Sequence, residues 1–414
     1  MPWPPKPSAG PDPSEGALAP GRPLGVYVHV PFCSARCPYC DFAIDVRRQI
    51  PHERYAEAVI RELEAKASWF QAADAGPLVS LYFGGGTPAL WAPEAIARVV
   101  KAVARAFGLS DQAVQALEVT IEANPGEIDA SGLAALRRAG ANRVSFGIQA
   151  FDGELLNALG RTHSVAQARE VVGLARRAGF ARVACDLMFG VPHQTPALWA
   201  ESLTQMVALG PDHVSCYALT VEPFTPFGHR EKRGELRRPD DDQVADLFEQ
   251  AQEALAGAGY RHYEVSSYAR PGAEAVHNTL YWTQGAYLGL GCAAASFRPL
   301  AAGGGFRFIN PRATETYLRA AASMNGRVAP AKGEWRPPEA LEEEAVWLAL
   351  RTAQGLDRRL HALRFGSDPL ESPARAQVAA GLVSAGWLTV TDLVVAPTAR
   401  GLMFADELAT RLWG

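Results

Sequence analysis

Residues 33–40 read Cys-Ser-Ala-Arg-Cys-Pro-Tyr-Cys, which places Cys33, Cys37 and Cys40 on one short loop. The loop follows an apolar, β-branched run at residues 25–30 that predicts a strand. Three thiolates can hold a four-iron cluster and leave one iron open to a small molecule. A structural zinc site prefers four ligands, and a redox pair needs only two cysteines. The spacing therefore favours an iron–sulfur cluster, with a zinc site and a redox pair as the alternatives.

Strand-like and helix-like segments alternate along the chain on both sides of this loop. Repeated alternation of this kind predicts parallel β/α units, which can form either a partial barrel or an open doubly wound sheet. The predicted strands cover residues 25–30, 79–83, 117–123, 143–149, 182–189 and 213–218, and the helical segments between them include 53–70, 93–107, 165–178 and 195–209.

Polar faces on the predicted strands decide between the two architectures. In the third strand Glu118 and Glu122 share one face, and in the fourth strand Ser145 and Gln149 do the same. A parallel strand covered by helices on both sides should be apolar on both faces. Polar inner faces therefore predict a hollow, and we expect a partial (β/α)6 barrel.

Length, charge and hydropathy limit the remaining classes. The chain has 414 residues, which is long for one domain, and its net charge of −4 gives no reason to expect nucleic-acid binding. No apolar stretch is long enough to span a membrane. Residues 1–22 are rich in Pro, Gly and Ala and lack a secretory signal, so we expect a disordered tail and a cytoplasmic protein. In that compartment cysteines are typically thiols or metal ligands.

Further polar residues lie where the predicted strands end, which is where barrel proteins place their sites. Gly84-Gly85-Gly86-Thr87-Pro88 follows the second strand. The third strand carries Glu122, the fourth ends in Gln149, and the fifth carries Asp186. A glycine run alone equally fits a tight turn, and a single carboxylate more often caps a helix. Their combination around one rim predicts a ligand site.

Together these motifs resemble those of the radical S-adenosylmethionine (SAM) superfamily. The resemblance implies a [4Fe-4S] cluster on the three cysteines and SAM on its open iron, which one electron cleaves to methionine and a 5′-deoxyadenosyl radical. It assigns binding roles and no catalytic side chain. Guanidinium suits the methionine carboxylate, and carboxylates suit its ammonium or the ribose hydroxyls. The residues implied in SAM binding are Tyr27, Tyr39, Gly85, Gly86, Thr87, Glu122, Gln149, Arg161 and Asp186.

From Leu24 onward the sequence resembles the anaerobic coproporphyrinogen-III oxidase-like family. The oxygen-independent oxidases carry a further cysteine where this chain has Phe42. The haem chaperone group (HemW) instead shares Cys-Pro-Tyr-Cys-Asp-Phe, found at residues 37–42, and a His-Asn-x-x-Tyr-Trp motif, found at residues 277–282. This implies haem binding, with His277 as a candidate axial ligand and a buried structural histidine as the alternative. Relatives often have a histidine where this chain has Ala295.

The last part of the chain, residues 336–414, predicts a separate small domain. Helical segments precede a short hairpin near Thr391 and a final helix, an order that resembles a winged helix. The segment carries eight Lys and Arg against ten Asp and Glu, so it lacks the basic surface of a DNA-binding domain. We expect residues 23–335 to form the barrel with an extension carrying the His277–Trp282 motif.

The function expected from these features is a haem chaperone. It would carry the cluster with exchangeable SAM, and it would pass haem to acceptor proteins, respiratory ones among the candidates. A flavodoxin or ferredoxin would serve as electron donor. Two alternatives stay open: an enzyme such as oxygen-independent coproporphyrinogen III oxidase, or another radical reaction on a tetrapyrrole, and a degenerate relative without cofactors. Phe42 and the 277–282 motif favour the chaperone, and the intact cysteines disfavour the degenerate relative.

Overall fold

A computed structural model describes residues 16–71, 75–323, 326 and 328–413. The described strands are β1 Leu24–Val30, β2 Phe32–Cys33, β3 Asp45–Val46, β4 Leu78–Gly85, β5 Glu118–Ala123, β6 Arg143–Gln149, β7 Arg182–Phe189, β8 His213–Ala218, β9 Arg261–Glu264, β10 Ser267–Ala269, β11 Ala286–Leu290, β12 Ala295–Pro299, β13 Gly305–Ile309, β14 Lys332–Arg336, β15 Leu356–Asp357, β16 Leu388–Val390 and β17 Val394–Pro397.

The described α-helices are α1 His52–Lys66, α2 Pro93–Ala106, α3 Asp111–Ala116, α4 Ala130–Arg138, α5 Gly153–Ala158, α6 Val165–Arg177, α7 Pro196–Leu209, α8 Pro226–Lys232, α9 Asp241–Gly257, α10 Val276–Trp282, α11 Thr314–Ser323, α12 Pro338–Ala349, α13 Arg358–Phe365, α14 Pro373–Ser384, α15 Ala399–Met403 and α16 Ala405–Trp413. Single 3₁₀ turns follow at Ala67–Phe70 and Pro88–Leu90.

One mixed sheet forms the body of the protein. Its parallel part has the order β11-β1-β4-β5-β6-β7-β8, and helices connect successive strands from β1 to β8. The six predicted strands are confirmed to within two residues, and so is the partial barrel. The seventh parallel strand, β11, comes from the extension and was not among the predicted ones. Its pairing places β1 in the interior of the sheet, with a neighbour on each side.

Antiparallel strands extend the sheet at both edges. Strands β12, β13 and β14 continue from β11, whereas β10 and β9 continue from β8. The predicted alternation of faces is present in β6, where Val144, Phe146 and Ile148 are fully buried beneath the helices. The intervening Ser145 and Gln149 face a cavity at the centre of the barrel.

A buried carboxylate ties the first helix to the extension. Glu62 on α1 accepts hydrogen bonds from Lys66 (2.6 Å) and Asn310 (2.7 Å) through one oxygen. Its other oxygen accepts from the Gly291 amide (2.9 Å) and the Tyr317 hydroxyl (2.8 Å). Glu62 and Lys66 are 0% and 1% exposed in their side chains. Removing one member of such a buried ion pair lowers the stability of the protein, because the other charge stays buried without a partner.

The C-terminal segment has its own apolar core and its own sheet, β15-β17-β16. Helices α12, α14 and α16 pack around buried residues such as Leu350, Leu382 and Leu408. The hairpin β16–β17 lies where the sequence predicts it, and α13 and β15 are additional elements. The segment lies against the barrel. One contact between them is the hydrogen bond that the Val265 amide donates to the Arg351 carbonyl at 2.9 Å.

The predicted tail ends too far along the chain. Residues 1–15 lie outside the described residues, but residues 16–22 are packed. Leu18 is 2% exposed and bridges to Leu300, and the Ala19 amide donates to the Pro299 carbonyl at 2.9 Å. An apolar side chain that finds a pocket on the sheet edge can offset the entropy lost when its segment becomes ordered. Among the described residues, no helix combines the length and the apolar character needed to cross a bilayer.

Replacing Glu62 with Ala should lower the free energy of unfolding by about 3–5 kcal/mol, because Lys66 would keep a buried charge without its carboxylate. Denaturant unfolding followed by circular dichroism measures this. Glu64 lies on the same helix and is exposed, so Glu64→Ala should change stability by less than about 0.5 kcal/mol. Equal stability of the two variants would contradict a structural role for the Glu62 network.

Candidate functional site

A cavity of about 420 Å³ opens where the parallel strands end. Parallel strands present their carboxyl ends on one rim, so the loops that follow them meet there. The predicted residues that line the cavity are Cys33, Cys37, Tyr39, Cys40, Gly85, Gly86, Thr87, Glu122, Gln149, Arg161 and Asp186. Tyr27 and His277 do not line it. The structure thus brings eleven of the thirteen predicted residues together.

The cysteine loop is fixed by backbone bonds from the glycine motif. The Gly86 amide donates to the Val30 carbonyl at 2.8 Å, and the Thr87 amide donates to the Phe32 carbonyl at 2.7 Å. A side chain at Gly86 would lie 2.7 Å from the Pro31 carbonyl, so only glycine allows this approach. The end of β4 therefore holds the start of the loop that carries the thiols.

All three thiols are partly exposed to the cavity. Thr87 Oγ1 lies 3.8 Å from Cys33 Sγ, and Arg161 Nη1 lies 3.5 Å from Cys37 Sγ. Burial raises the pKa of Cys33 to about 11, so a thiolate there needs nearby positive charge, such as bound iron supplies. Three thiols on one rim, with a donor against two of them, suit an iron–sulfur cluster.

Within the described ranges, no three His, Cys, Asp or Glu side chains stand close enough together to hold a single metal ion. A four-iron cluster is wider than one ion and takes its thiolates further apart. Cys185, Cys216 and Cys292 are buried elsewhere.

Two carboxylates lie behind the glycine motif. Glu122 accepts hydrogen bonds from the Tyr82 hydroxyl (2.7 Å) and from the Gly85 amide (3.0 Å). Burial raises the pKa of Glu122 to about 7 and that of Asp186 to about 6. The two carboxylates also raise each other's proton affinity, since Asp186 is among the charges that act on Glu122. A cation entering the cavity would relieve this repulsion, so the pair is suited to an ammonium, a sulfonium or a hydrogen-bonding diol.

Arg161 supplies the positive charge of the cavity. Its guanidinium donates to the Gly147 carbonyl (3.0 Å) and to Asn124 Oδ1. Its Nε has no partner among the described residues, and neither has Gln149 Oε1. Gln149 also has a positive φ of 69°, an uncommon conformation for a residue other than glycine. Unpaired polar atoms and a strained backbone at one rim indicate that a ligand completes the site.

Tyr39 lies in the cavity wall next to Cys37 and Arg161, and burial raises its pKa. Tyr27 instead lies deeper in the barrel. Its hydroxyl is 3.1 Å from His29 Nδ1, and its ring stacks on Tyr82 with centroids 6.1 Å apart. Tyr27 therefore supports the floor of the site, and the expected direct position beside the cluster is not seen.

His277 lies at the opposite end of the barrel, near the first residues of the strands. Its backbone amide donates to Glu118 at the start of β5 (3.1 Å). Ser80 Oγ lies 2.8 Å from Nδ1, and the Tyr281 hydroxyl lies 3.0 Å from Nε2. Burial lowers the pKa of His277 to about 3, so the ring is neutral at pH 7. Coordination of iron by His277 would require one of these two contacts to break.

Comparisons with known proteins identify the family. Residues 27–206 match the radical SAM superfamily. The chain is 36% identical over 402 residues to the haem chaperone HemW of Mycobacterium tuberculosis, which covers 96% of this chain and 97% of that protein. Against the haem chaperone HemW of Haemophilus influenzae, the identity is 38% over 299 residues, 72% of this chain and 76% of that protein. The chain belongs to the HemW group of the radical SAM superfamily.

A solved structure gives the fold of this HemW-group chain independent support. Coproporphyrinogen III oxidase (HemN) from Escherichia coli, a radical SAM enzyme, superposes with a TM-score of 0.79 at 24% identity, over 96% of this chain and 91% of that one. The predicted family and fold are thereby confirmed. Membership of the superfamily implies a [4Fe-4S] cluster and SAM, in agreement with the three thiols and the cavity beside them.

Sequence reasoning missed several residues of the cavity. Asn124 connects the glycine motif to Arg161, because its Nδ2 donates to Thr87 Oγ1 at 2.9 Å while its Oδ1 accepts from Arg161. Ser145 and Tyr217 also line the wall. The two-residue period of the sequence places Ser145 on the same polar strand face as Gln149, but Ser145 was not among the predicted site residues. Tyr217 shares a face of β8 with His213 and Ser215, so the same two-residue period could have indicated it.

Replacing Cys33, Cys37 or Cys40 with Ala should abolish the broad visible absorption of a reconstituted cluster, since three ligands are needed to retain it. The matched control is Cys292→Ala, which removes a buried thiol outside the cavity and should leave the iron content unchanged. Iron and acid-labile sulfide assays after anaerobic reconstitution measure both. A Cys37→Ala protein with normal iron would rule out this ligand set.

Proposed function

We propose that the protein is a haem chaperone that binds haem and transfers it to acceptor proteins, with a [4Fe-4S] cluster on Cys33, Cys37 and Cys40 and exchangeable SAM. The observation that carries this proposal is similarity to a HemW haem chaperone across 96% of the chain. Phe42 supports it, because an exposed aromatic ring stands at the cavity rim where the oxidases carry a further cysteine.

The partners follow from this role. We propose haem-acceptor proteins, respiratory ones among them, and a flavodoxin or ferredoxin as the electron source for the cluster. A cytoplasmic location and the absence of nucleic-acid partners belong to the same proposal and agree with the net charge of −4.

The cavity residues have distinct parts in the proposed SAM site. Bound there, the cluster would supply one electron for reductive cleavage of SAM. In this proposal Arg161 would pair with the methionine carboxylate, and Glu122 and Asp186 would pair with cationic or hydroxyl groups. At Gly85, a φ of 113° and the close approach of the His29 ring exclude a side chain, so only glycine fits at this point of the cavity wall.

SAM affinity should depend on pH through Glu122. Burial raises the pKa of this group to about 7, so it is largely protonated at pH 6 and ionised at pH 8. Only the carboxylate attracts the cationic ligand, and SAM should therefore bind up to roughly tenfold more tightly at pH 8 than at pH 6. Equilibrium dialysis with labelled SAM measures this. Glu122→Gln should weaken binding and flatten the profile, whereas the exposed Glu154→Gln should change neither. A flat profile in the native protein would contradict this role of Glu122.

Haem binding should depend on His277. His277→Ala should reduce haem affinity in absorbance titrations, either through loss of an iron ligand or through displacement of α10, while the cluster and SAM binding are retained at the other end of the barrel. A shifted Soret band would identify coordination, and an unshifted band would identify a positioning role. The exposed His229→Ala is the control. Unchanged haem affinity would remove His277 from the haem site.

The same preparation decides between chaperone and oxidase. Fully reconstituted native protein should bind haem and should leave coproporphyrinogen III unconverted in an anaerobic assay with SAM and reductant. Efficient conversion, together with haem binding that does not depend on His277, would replace the chaperone by the oxidase.

A further inference from the structure

A second large cavity lies between the barrel and the C-terminal domain, away from the cluster. It has a volume of about 780 Å³, within the range of roughly 300–1,000 Å³ that small-molecule sites occupy. Trp282 at the end of α10 forms part of one wall, and α13 of the C-terminal domain forms the other. An adjoining cavity of about 470 Å³ shares Arg22, Leu360, Arg364 and other residues with it, so the two form one groove around α13.

Two arginines stand together in this groove. Arg22 donates to the Gln284 carbonyl (2.9 Å), and Arg364 lies over the Phe365 ring at 4.5 Å. Among the described residues neither forms an ion pair. Burial and the charge of Arg22 together lower the pKa of Arg364 to about 9, whereas the carboxylate of Glu344 acts in the opposite direction. Two half-buried guanidinium groups that repel each other indicate an anionic ligand.

Much of the remaining groove surface is apolar, Glu274 and Asp357 also line it, and several of its buried polar atoms lack hydrogen-bond partners among the described residues. Leu360 and Leu363 on α13 are 65% and 84% exposed, which is unusual for adjacent turns of a helix that faces a cavity. Trp282 Nε1, Gln284 Oε1 and His361 Nδ1 are buried and have no partner among the described residues. Gln284 and His361 are each 3% exposed. A ligand with a broad apolar face and a polar edge would cover these surfaces.

We propose that this groove binds haem, with its two propionates on Arg22 and Arg364 and its ring face against Trp282. The inference rests on the proposed haem chaperone and gives it a location. It also gives the 277–282 motif two faces: His277 holds α10 to the barrel through Ser80 and Glu118, and Trp282 lies in the wall of the groove. Arginine pairs with a carboxylate through two parallel hydrogen bonds, and an aromatic face suits a flat macrocycle.

The test is a haem titration of the full chain with reconstituted cluster, comparing native protein with Arg22→Gln, Arg364→Gln and the double variant. Each single change should weaken haem binding roughly tenfold, because one charge-assisted contact to a propionate is lost. Arg359→Gln is the matched control, since Arg359 lies on the same helix, is exposed and does not line the groove. Retained cluster absorbance and an unchanged melting temperature show that the variants fold.

A second ligand separates the propionates from the ring. Haem dimethyl ester has the same macrocycle without carboxylates, so native protein should bind it about as weakly as the double variant binds haem. The double variant should no longer discriminate between the two ligands. Native-like haem affinity in the double variant, or equal affinity of the native protein for haem and its ester, would overturn this site while leaving the haem chaperone intact. Failure of the native protein to bind haem would overturn the proposed function itself.

Discussion

Parallel pairing of β1 with neighbours on both sides is the constraint on which the rest of the structure depends. β1 pairs with β4 through seven residues and with β11 through five, although β11 lies more than 250 residues further along the chain. Since β1 is interior, the loop that follows it emerges in the middle of the rim. The glycine motif at the end of β4 is then its immediate neighbour and holds it by two backbone hydrogen bonds.

Desolvation gives the cavity its chemistry. The barrel wall excludes water from Glu122 and Asp186, so each carboxylate is harder to ionise than in solution. The same burial raises the pKa of Cys33. Arg143 and Arg161 are the cations that act on these carboxylates, but Arg143 is paired with Glu118, and Arg161 is already engaged with Asn124 and Gly147. The site is therefore short of positive charge, which iron and a cationic ligand such as SAM would both supply.

A chain of side-chain contacts connects the two ends of the barrel. His277 at the lower end stacks on Tyr82 with centroids 5.0 Å apart, and the Tyr82 hydroxyl donates to Glu122 at the upper end. Glu118 and Glu122 lie on the same face of β5, one beneath α10 and the other in the SAM cavity. The proposed haem groove and the proposed SAM site are thus separated by the barrel core, and each can bind its ligand without displacing the other.

The sequence by itself determined the family, the six strands that follow a β/α repeat, and eleven of the residues around the cavity beside the cysteine loop. It could do so because these features are local: the spacing of Cys33, Cys37 and Cys40 lies within one loop, and the polar faces of β5 and β6 follow from a two-residue period. Parallel strands then bring their ends to one rim regardless of the loops between them.

Only the tertiary structure decided features that depend on contacts between distant segments. The insertion of β11 beside β1, the Glu62 network and the ordered Leu18 all join parts of the chain separated by more than 200 residues. The positions of Tyr27 and His277 are of the same kind. Both look like ligand residues in the sequence, and both are held in the barrel interior by neighbours from other strands and helices. The sequence gives the type of each side chain, but the helices and strands that pack around a side chain determine where it points.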